Sequence, residues 1–188
     1  MDEPRCVGLD QSARFIRSAA ALQDNELLRY TVPLEGELKS FHETSLASHG
    51  LGDFTERCSF VQNDPCNLDP KKFGRFDVVV AANVIERLYS PREFLESVHT
   101  FVEDGGLLIL SSTYDWDKDL TPVENWIGGY KDAGSGENVS TLAGLSEILA
   151  DSGKFRFVRT QCEIPQVKRT TARSLSYEIS EMTVWERL

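Results

Sequence analysis

Residues 76–110 read FDVVVAANVIERLYSPREFLESVHTFVEDGGLLIL, a sequence that predicts a strand, a helix and a second strand. Residues 77–82 are a short run rich in valine, which is typical of a strand buried on both faces. A polar loop covers residues 83–89, a helix is predicted from Ser90, and residues 107–112 form the next buried strand. This order predicts a right-handed crossover between two parallel strands.

Both ends of the predicted helix carry sequence signals. Ser90 is placed to cap it, Pro91 suits the first helical position, and Glu93 completes a capping box. Gly105 and Gly106 are predicted to end the helix. The apolar residues between these ends recur every three or four positions and form one stripe: Phe94, Leu95, Val98, Phe101 and Val102.

Composition limits the function classes. The chain has 188 residues, enough for one domain with a core, and its net charge of −10 disfavours binding to a nucleic-acid backbone. The start, MDEPRC, contains no apolar leader, and no apolar run reaches the roughly 18 residues of a membrane span. The four cysteines lack metal-binding spacing, so we predict free thiols, no metal site and a cytoplasmic location.

An acidic residue ends the first predicted strand. CVGLD, residues 6–10, closes with Asp10, and Ser12 is placed to cap the helix that follows. A carboxylate at such a position can accept both hydroxyls of a ribose, although a polar strand end needs no ligand. The predicted helix has one apolar face: Phe15, Ile16, Ala19 and Leu22.

Two further strand ends carry polar residues. The strand CSFVQN, residues 58–63, is followed by Asp64, which lies either beside a nucleoside or in a plain Asp-Pro turn. Asn83 directly follows the strand at 77–82. Because open parallel sheets bind ligands at the carboxyl ends of their strands, Asn83 is predicted to lie at the rim of a site.

The remaining segments surround this α/β core. Residues 28–56 are predicted to be an insertion that contains a hairpin with its turn at Gly36, and residues 114–137, rich in aromatic residues and glycine, to be a substrate lid. A helix at 141–152 is capped by Ser140 and buries Leu142, Leu145, Ile148 and Leu149. The C-terminal end is predicted to hold strands at 155–160 and 180–187, with 164–171 irregular because of Pro165.

Asp10, Asp64 and Asn83, at successive strand ends ahead of a late strand pair, resemble the class I S-adenosylmethionine-dependent methyltransferases. The resemblance implies an α/β, Rossmann-like methyltransferase fold with a mostly parallel sheet and a late antiparallel strand. It implies S-adenosyl-L-methionine as the cofactor. It also implies that Asp10 holds the ribose, that Asp64, Pro65 and Cys66 lie beside the adenine, and that Asn83 lines the methionine end.

Five blocks of the sequence are similar to one subfamily in particular. It is the 4-mercaptohistidine N1-methyltransferase domain at the C-terminus of 5-histidylcysteine sulfoxide synthase, an enzyme of ovothiol biosynthesis. This resemblance implies methyl transfer to an imidazole nitrogen of a small histidine-derived thiol. The blocks are GLDQSARFI at 8–16, AANVIERLYSP at 81–91, PVENWIGGYK at 122–131, ENVSTLAGL at 137–145 and SEMTVWER at 180–187.

The chain departs from this family at its start. Family members begin with a strand and a turn of the form D/E-x-G-x-G-x-G, whose glycines let the backbone approach the cofactor. No such turn precedes CVGLD, which matches the second strand of the family. The single domain predicted over 1–188 is therefore expected to be N-terminally truncated. A gap is expected in its sheet, and an upstream or separate chain is expected to supply the missing front.

Methyl transfer of this kind depends on alignment of the reacting atoms, so no catalytic residue is predicted. Side chains of the lid are predicted to hold the substrate, and Arg173 to pair with the substrate carboxylate. For Trp126 and Tyr130, packing is an equal alternative. The predicted substrate residues of the lid are Tyr114, Trp116, Asn125, Trp126 and Tyr130.

Two alternatives to an active enzyme stay open at this point. The chain is either a methyltransferase-like remnant that serves as an interaction module, or a different Rossmann-like nucleotide binder. The second is disfavoured because the sequence contains no G-x-G-x-x-G turn.

Overall fold

A computed structural model describes residues 5–24 and 27–188. The chain divides into two compact units. The first unit contains the residues up to Pro65 together with Val167–Ser176, and the second contains Cys66–Gln166 and Tyr177–Leu188. The start of the chain, which we predict to contain no apolar leader, falls partly outside the described residues, at positions 1–4. The single domain over 1–188 and the insertion at 28–56 stay predictions.

The first unit holds a parallel strand pair, a helix and a hairpin. The parallel pair places Asp10 opposite Gln62, and the predicted hairpin turns at Gly36, whose φ is +53°. The elements are β1 (Cys6–Asp10), α1 (Ala13–Gln23), β2 (Leu28–Glu35), β3 (Leu38–Thr44) and β4 (Cys58–Gln62). β1 pairs with β4, and β2 pairs antiparallel with β3.

The second unit is built around a larger sheet. Its elements are α2 (Pro70–Phe73), β5 (Phe76–Ala82), α3 (Pro91–Ser97), β6 (Val102–Ser112), β7 (Tyr130–Lys131), β8 (Asn138–Val139), α4 (Thr141–Leu149) and most of β9 (Phe155–Arg169) and β10 (Leu175–Arg187). The end of β9 from Val167 and the start of β10 up to Ser176 belong to the first unit. The strand order is β5-β6-β10-β9. β5 is parallel to β6, and β10 is antiparallel to β6.

The sheets are therefore mixed. Of the strand pairs whose register is described, β1–β4 and β5–β6 are parallel, whereas β2–β3, β6–β10 and β7–β8 are antiparallel. The predicted crossover and the late antiparallel strand are present, but the mostly parallel character is not confirmed. β1–β4 and β5–β6 belong to separate hydrogen-bonded sheets.

The helix in the crossover is shorter than predicted. α3 ends at Ser97, and β6 already begins at Val102, so Gly105 and Gly106 lie within a strand. Gly105 has a φ of +78°, and a Cβ on Gly106 would stand 2.9 Å from the Asp77 carbonyl oxygen. The two glycines thus allow the irregularity through which β6 pairs with β5.

Two predicted helix caps are wrong. Pro91 does begin α3, but Ser90 makes no side-chain capping hydrogen bond, and neither does Ser12 at α1. The Asp10 carboxylate accepts from the backbone amide of Ser12, just before α1, at 2.7 Å. Phe15, on the predicted apolar face of this helix, is 62% exposed.

Only one face of β5 packs in the core. Val79 and Ala81 contact the hydrophobic core, but Val78 is 48% exposed and Val80 is 62% exposed. The prediction of burial on both faces is therefore wrong. β5 also stands at the edge of its sheet, so it has no strand neighbour on that side among the described strands.

The C-terminal strands are longer than predicted. β9 continues through Pro165 to Arg169, so the predicted irregular segment is wrong. β9 is an edge strand of its sheet, and an edge tolerates the missing amide of proline. β10 begins at Leu175, ahead of the predicted start at Ser180.

The core of the second unit joins the sheet to α3 and α4. Its largest fully buried side chains include Trp185, Phe155, Ile85, Leu95 and Leu145. Ser140 caps α4 as predicted, because its hydroxyl accepts from the Ala143 amide. Among the residues that the structure describes, no helix is both long and apolar enough to span a membrane.

Two backbone segments meet in this unit with no room for a side chain. A Cβ on Gly144, in α4, would lie 1.7 Å from the Ile127 carbonyl oxygen. A Cβ on Gly128 would lie 2.4 Å from the Thr141 amide nitrogen. The block PVENWIGGYK is therefore in direct backbone contact with the block ENVSTLAGL.

We expect Gly144→Ala to lower the free energy of unfolding by about 3 kcal/mol, because overpacking outweighs the helix propensity gained. Urea unfolding followed by circular dichroism measures the change. Gly134→Ala is the matched control, since its Cβ would meet only the Asp132 side chain at 3.4 Å. Equal stability of the two variants would contradict the packing argument.

Candidate active site

The two predicted strand-end acids of the first unit lie on neighbouring parallel strands. Asp10 ends β1, and its carbonyl oxygen accepts from the Asn63 amide at 3.2 Å. Asp64 follows β4, and its Oδ1 accepts from Gln11 Nε2 at 2.9 Å. The structure thus brings Asp10 and Asp64 to the same carboxyl edge of a strand pair, where acceptors for hydroxyl or amino groups are available.

The other predicted residues of the first unit are less informative. Pro65 follows Asp64 and is half-buried. Arg173, predicted to bind the substrate carboxylate, is exposed, and its Nη1 lies 3.8 Å from Glu35 Oε2. An exposed ion pair of this kind contributes little stability.

Asn83, in the second unit, connects the strand ends of its sheet. Its backbone has a φ of +51°, and its amide donates to the Ser111 carbonyl oxygen at 2.8 Å. Its Oδ1 accepts from Ser180 Oγ at 2.9 Å, and its Nδ2 donates to Gln166 Oε1. The Asn83 side chain is therefore engaged by β9 and β10, which gives it a structural role beside its predicted one.

Cys66 also has a partner within the second unit. Its thiol donates to the Ser90 carbonyl oxygen at 3.3 Å, and the residue packs against the hydrophobic core. Its prediction as a cofactor residue stays a prediction.

The tryptophans of the predicted lid form one packed group. The rings of Trp116 and Trp126 are stacked with centroids 5.9 Å apart. Trp116 Nε1 donates to Thr141 Oγ1 at 3.1 Å, and Trp126 Nε1 donates to the Thr121 carbonyl oxygen at 2.9 Å. Both indoles are thus held by hydrogen bonds as well as by stacking, as expected of a rigid platform.

Asn125 and Tyr130, two further predicted lid residues, differ in their contacts. Asn125 Nδ2 donates to the Tyr89 carbonyl oxygen at 2.8 Å. Tyr130 begins β7, pairs with Val139 and is 42% exposed. The predicted lid segment is therefore held by a hydrogen bond to the Tyr89 carbonyl oxygen and by a short strand pair.

Glu86, which the sequence analysis did not select, is a buried acid in the second unit. It is 1% exposed, and its Oε1 accepts from the amide and the hydroxyl of Thr113 at 3.4 and 3.3 Å. Its Oε2 is buried and has no hydrogen-bond partner. A buried carboxylate oxygen without a donor is costly, so Glu86 is a candidate site residue.

Tyr114 lies next to Thr113 and is unusual in two ways. Its φ is +56°, and the Glu181 carboxylate acts on its hydroxyl. Burial, followed by the hydrogen bond and charge of Glu181 and by the charges of Cys162 and Glu86, raises the pKa of Tyr114 well above its usual value. Strained backbone of this kind is concentrated at functional sites.

Glu181 collects further donors from β9. Its Oε1 accepts from Thr160 Oγ1 at 2.7 Å and from Cys162 Sγ at 3.5 Å. The hydrogen bond to Glu181 is the main cause that raises the pKa of the Cys162 thiol. We refer to Glu86, Tyr114 and Glu181 as the acidic cluster. For Glu86, the signal in the sequence is its position next to Ile85 and close to Leu88, which are 0% and 3% exposed.

Comparison with known proteins identifies the class. Residues 5–153, more than half of the chain, match the family described as "Methyltransferase domain". The chain belongs to this methyltransferase family. Membership confirms the predicted methyltransferase class and S-adenosyl-L-methionine as the cofactor of that class. No curated protein matches the sequence.

Solved structures show the same fold at low identity. A SAM-dependent methyltransferase from Methanosarcina mazei has 14% identity and a TM-score of 0.53, with 97% of this chain and 81% of that chain covered. A protein of echinomycin biosynthesis, from work on conversion of a disulfide bond into a thioacetal group, has 15% identity and a TM-score of 0.56, with 97% and 66% covered. The [4+2]-cyclase SpnF has 12% identity and a TM-score of 0.52, with 98% and 67% covered. The chain thus spans slightly less than two thirds of the echinomycin protein.

The raised pKa of Tyr114 predicts a loss of stability in alkali. The unfolded chain releases the phenol proton near pH 10, whereas the folded chain retains it to higher pH. Protons are therefore bound preferentially by the folded state, and the free energy of unfolding falls as the pH rises above about 10. Urea unfolding between pH 8 and about 11 should show a smaller fall for Tyr114→Phe. Tyr177→Phe, at a site 64% exposed, should behave like the unchanged chain.

Proposed function

We propose that the chain is an N-methyltransferase that transfers the methyl group of S-adenosyl-L-methionine to the imidazole nitrogen of 4-mercaptohistidine, in ovothiol biosynthesis. The placement of Asp10 and Asp64 at neighbouring strand ends carries the cofactor half of this proposal. The five sequence blocks shared with the mercaptohistidine subfamily support the substrate half. The proposal includes a cytoplasmic location and a small-molecule substrate.

The residues present suit the cofactor that the family uses. Asp10 offers carboxylate oxygens to the two ribose hydroxyls, and Asp64 offers an acceptor to the adenine amino group. Pro65, Cys66 and Asn83 complete the proposed set. The cofactor supplies an electrophilic methyl group on a sulfonium when it is bound.

The contribution of the chain to the reaction is alignment. The acceptor nitrogen has to stand roughly 3 Å from the methyl carbon and opposite the sulfur. The stacked rings of Trp116 and Trp126 give a flat apolar surface for an imidazole ring. Tyr114, Asn125, Tyr130 and Arg173 remain proposed substrate residues.

We also propose that an upstream or separate chain supplies a strand and a glycine-rich turn beside β5. The exposed side chains of Val78 and Val80 support this proposal, because an edge strand with an uncovered apolar face favours a further strand. The same observation favours the second candidate function, a methyltransferase-like interaction module without cofactor binding.

Calorimetric titration with S-adenosylhomocysteine tests the cofactor site. We expect binding, and we expect Asp10→Asn to weaken it about tenfold, because one charge-assisted hydrogen bond is lost. The amide oxygen can still accept from the Ser12 amide, so the start of α1 is preserved.

Asp53→Asn is the matched control, since it makes the same change at an exposed residue of the first unit. A folded chain that binds no S-adenosylhomocysteine, even with the front segment added, would leave the interaction module as the function. If it binds, transfer of a labelled methyl group to 4-mercaptohistidine tests the substrate.

Val80→Lys tests the added strand. The free energy of unfolding of the chain alone should change by less than about 0.5 kcal/mol, because the side chain is largely exposed. Addition of a polypeptide with a strand, glycine-rich turn and helix should increase the affinity for S-adenosylhomocysteine in the unchanged chain but not in Val80→Lys. An equal increase in both would contradict docking at β5.

A further inference from the structure

The acidic cluster contains two carboxylates without a cationic partner. The described ion pairs of the chain include neither Glu86 nor Glu181. Among the described hydrogen bonds, Glu181 accepts from two neutral groups, the Thr160 hydroxyl and the Cys162 thiol. The negative charge of the cluster is therefore not balanced within the described contacts.

Glu86 adds an independent observation that indicates a ligand. Its Oε1 is fixed by Thr113, so the carboxylate is held in one orientation. The Oε2 atom is buried and without a hydrogen-bond donor. A buried acceptor of this kind is normally satisfied, and a charged N–H donor would satisfy its hydrogen bond and its charge together.

The backbone brings the cluster to the end of the sheet at which α/β proteins bind ligands. Glu86 follows β5, Thr113 and Tyr114 follow β6, and Tyr114 packs against the hydrophobic core. Asn83 and Tyr114 both have positive φ values. The carboxyl ends of β5 and β6 are therefore held in a specific, strained arrangement around the acids.

We propose that Glu86, together with Tyr114 and Glu181, binds a positively charged N–H group of the methyl acceptor, so that the substrate carries a protonated amine. This inference rests on the proposed function and adds the charge of its substrate. Glu86 Oε2 accepts from the cationic N–H group, whose single positive charge offsets one of the two carboxylate charges, and Glu181 adds to the negative potential that attracts it. In an amino-acid substrate, the α-ammonium group would occupy the cluster.

The experiment compares two small probes that differ in one charge. Histamine carries an ammonium group beside its imidazole ring, and 2-(imidazol-4-yl)ethanol carries a neutral hydroxyl in its place. Binding of each probe to the full chain is measured by calorimetry, with S-adenosylhomocysteine titrated in the same preparations. We expect histamine to bind about 10- to 100-fold more tightly than the alcohol.

Substitutions then assign the preference to the cluster. Glu86→Gln keeps an acceptor for Thr113 but removes the charge, so it should abolish the preference for histamine. Glu181→Gln should reduce the preference for histamine, and it provides the test if Glu86→Gln does not fold. Glu93→Gln, at an exposed residue of α3 in the same unit, should retain the full preference.

The outcomes separate this inference from the proposed function. Equal binding of the two probes to the folded chain, or no binding of either at about 10 mM, overturns the inference. Retention of the preference in Glu86→Gln also overturns it. Binding of S-adenosylhomocysteine without a histamine preference leaves the proposed function intact, whereas a Glu86-dependent preference without that binding supports the cation site alone.

Discussion

The second unit depends on one steric constraint, the backbone contact between Ile127–Gly128 and the first turns of α4. The contact leaves no space for a Cβ at Gly128 or at Gly144. It fixes Thr141, whose hydroxyl accepts the indole N–H of Trp116, and Trp116 in turn stacks on Trp126. The position of the aromatic platform is thus set by main-chain packing, which is stiffer than contact between long side chains. Two sequence blocks that look unrelated along the chain form one rigid structure for this reason.

Sequence patterns predicted the features that depend on local rules. The crossover from β5 to β6, the hairpin at Gly36, the Ser140 cap and the strand-end placement of Asp10 are all present. The errors arose where tertiary contacts override a local signal. Gly105 and Gly106 resemble a helix end but serve a strand irregularity in the pairing of β6 with β5. Glu86 was missed because periodicity marks buried apolar residues, whereas the importance of a buried acid depends on its unfilled hydrogen bond.

The similar solved structures define the fold of the chain but not the reaction it catalyses. The same architecture occurs in a protein described as a methyltransferase and in one described as a [4+2]-cyclase. Chemistry on such a fold is determined by the side chains at the strand ends. In this chain those side chains are acidic and aromatic, and Asn83 is bound into the structure by β6, β9 and β10. The charge and shape of these acidic and aromatic side chains are therefore the guide to the acceptor substrate.

The two edges of the sheet in the second unit are not equivalent. β9 carries Pro165, a positive φ at Glu163 and several charged residues, all of which obstruct the addition of another strand. β5 carries a valine-rich face, no proline and no positive φ, and its one charged residue is Asp77. Because β9 is obstructed, two copies of this sheet can pair only through β5 of one copy and β5 of the other. Each copy then has no free edge left for a third. Self-association of this unit would accordingly stop at a closed pair and would not extend into a filament.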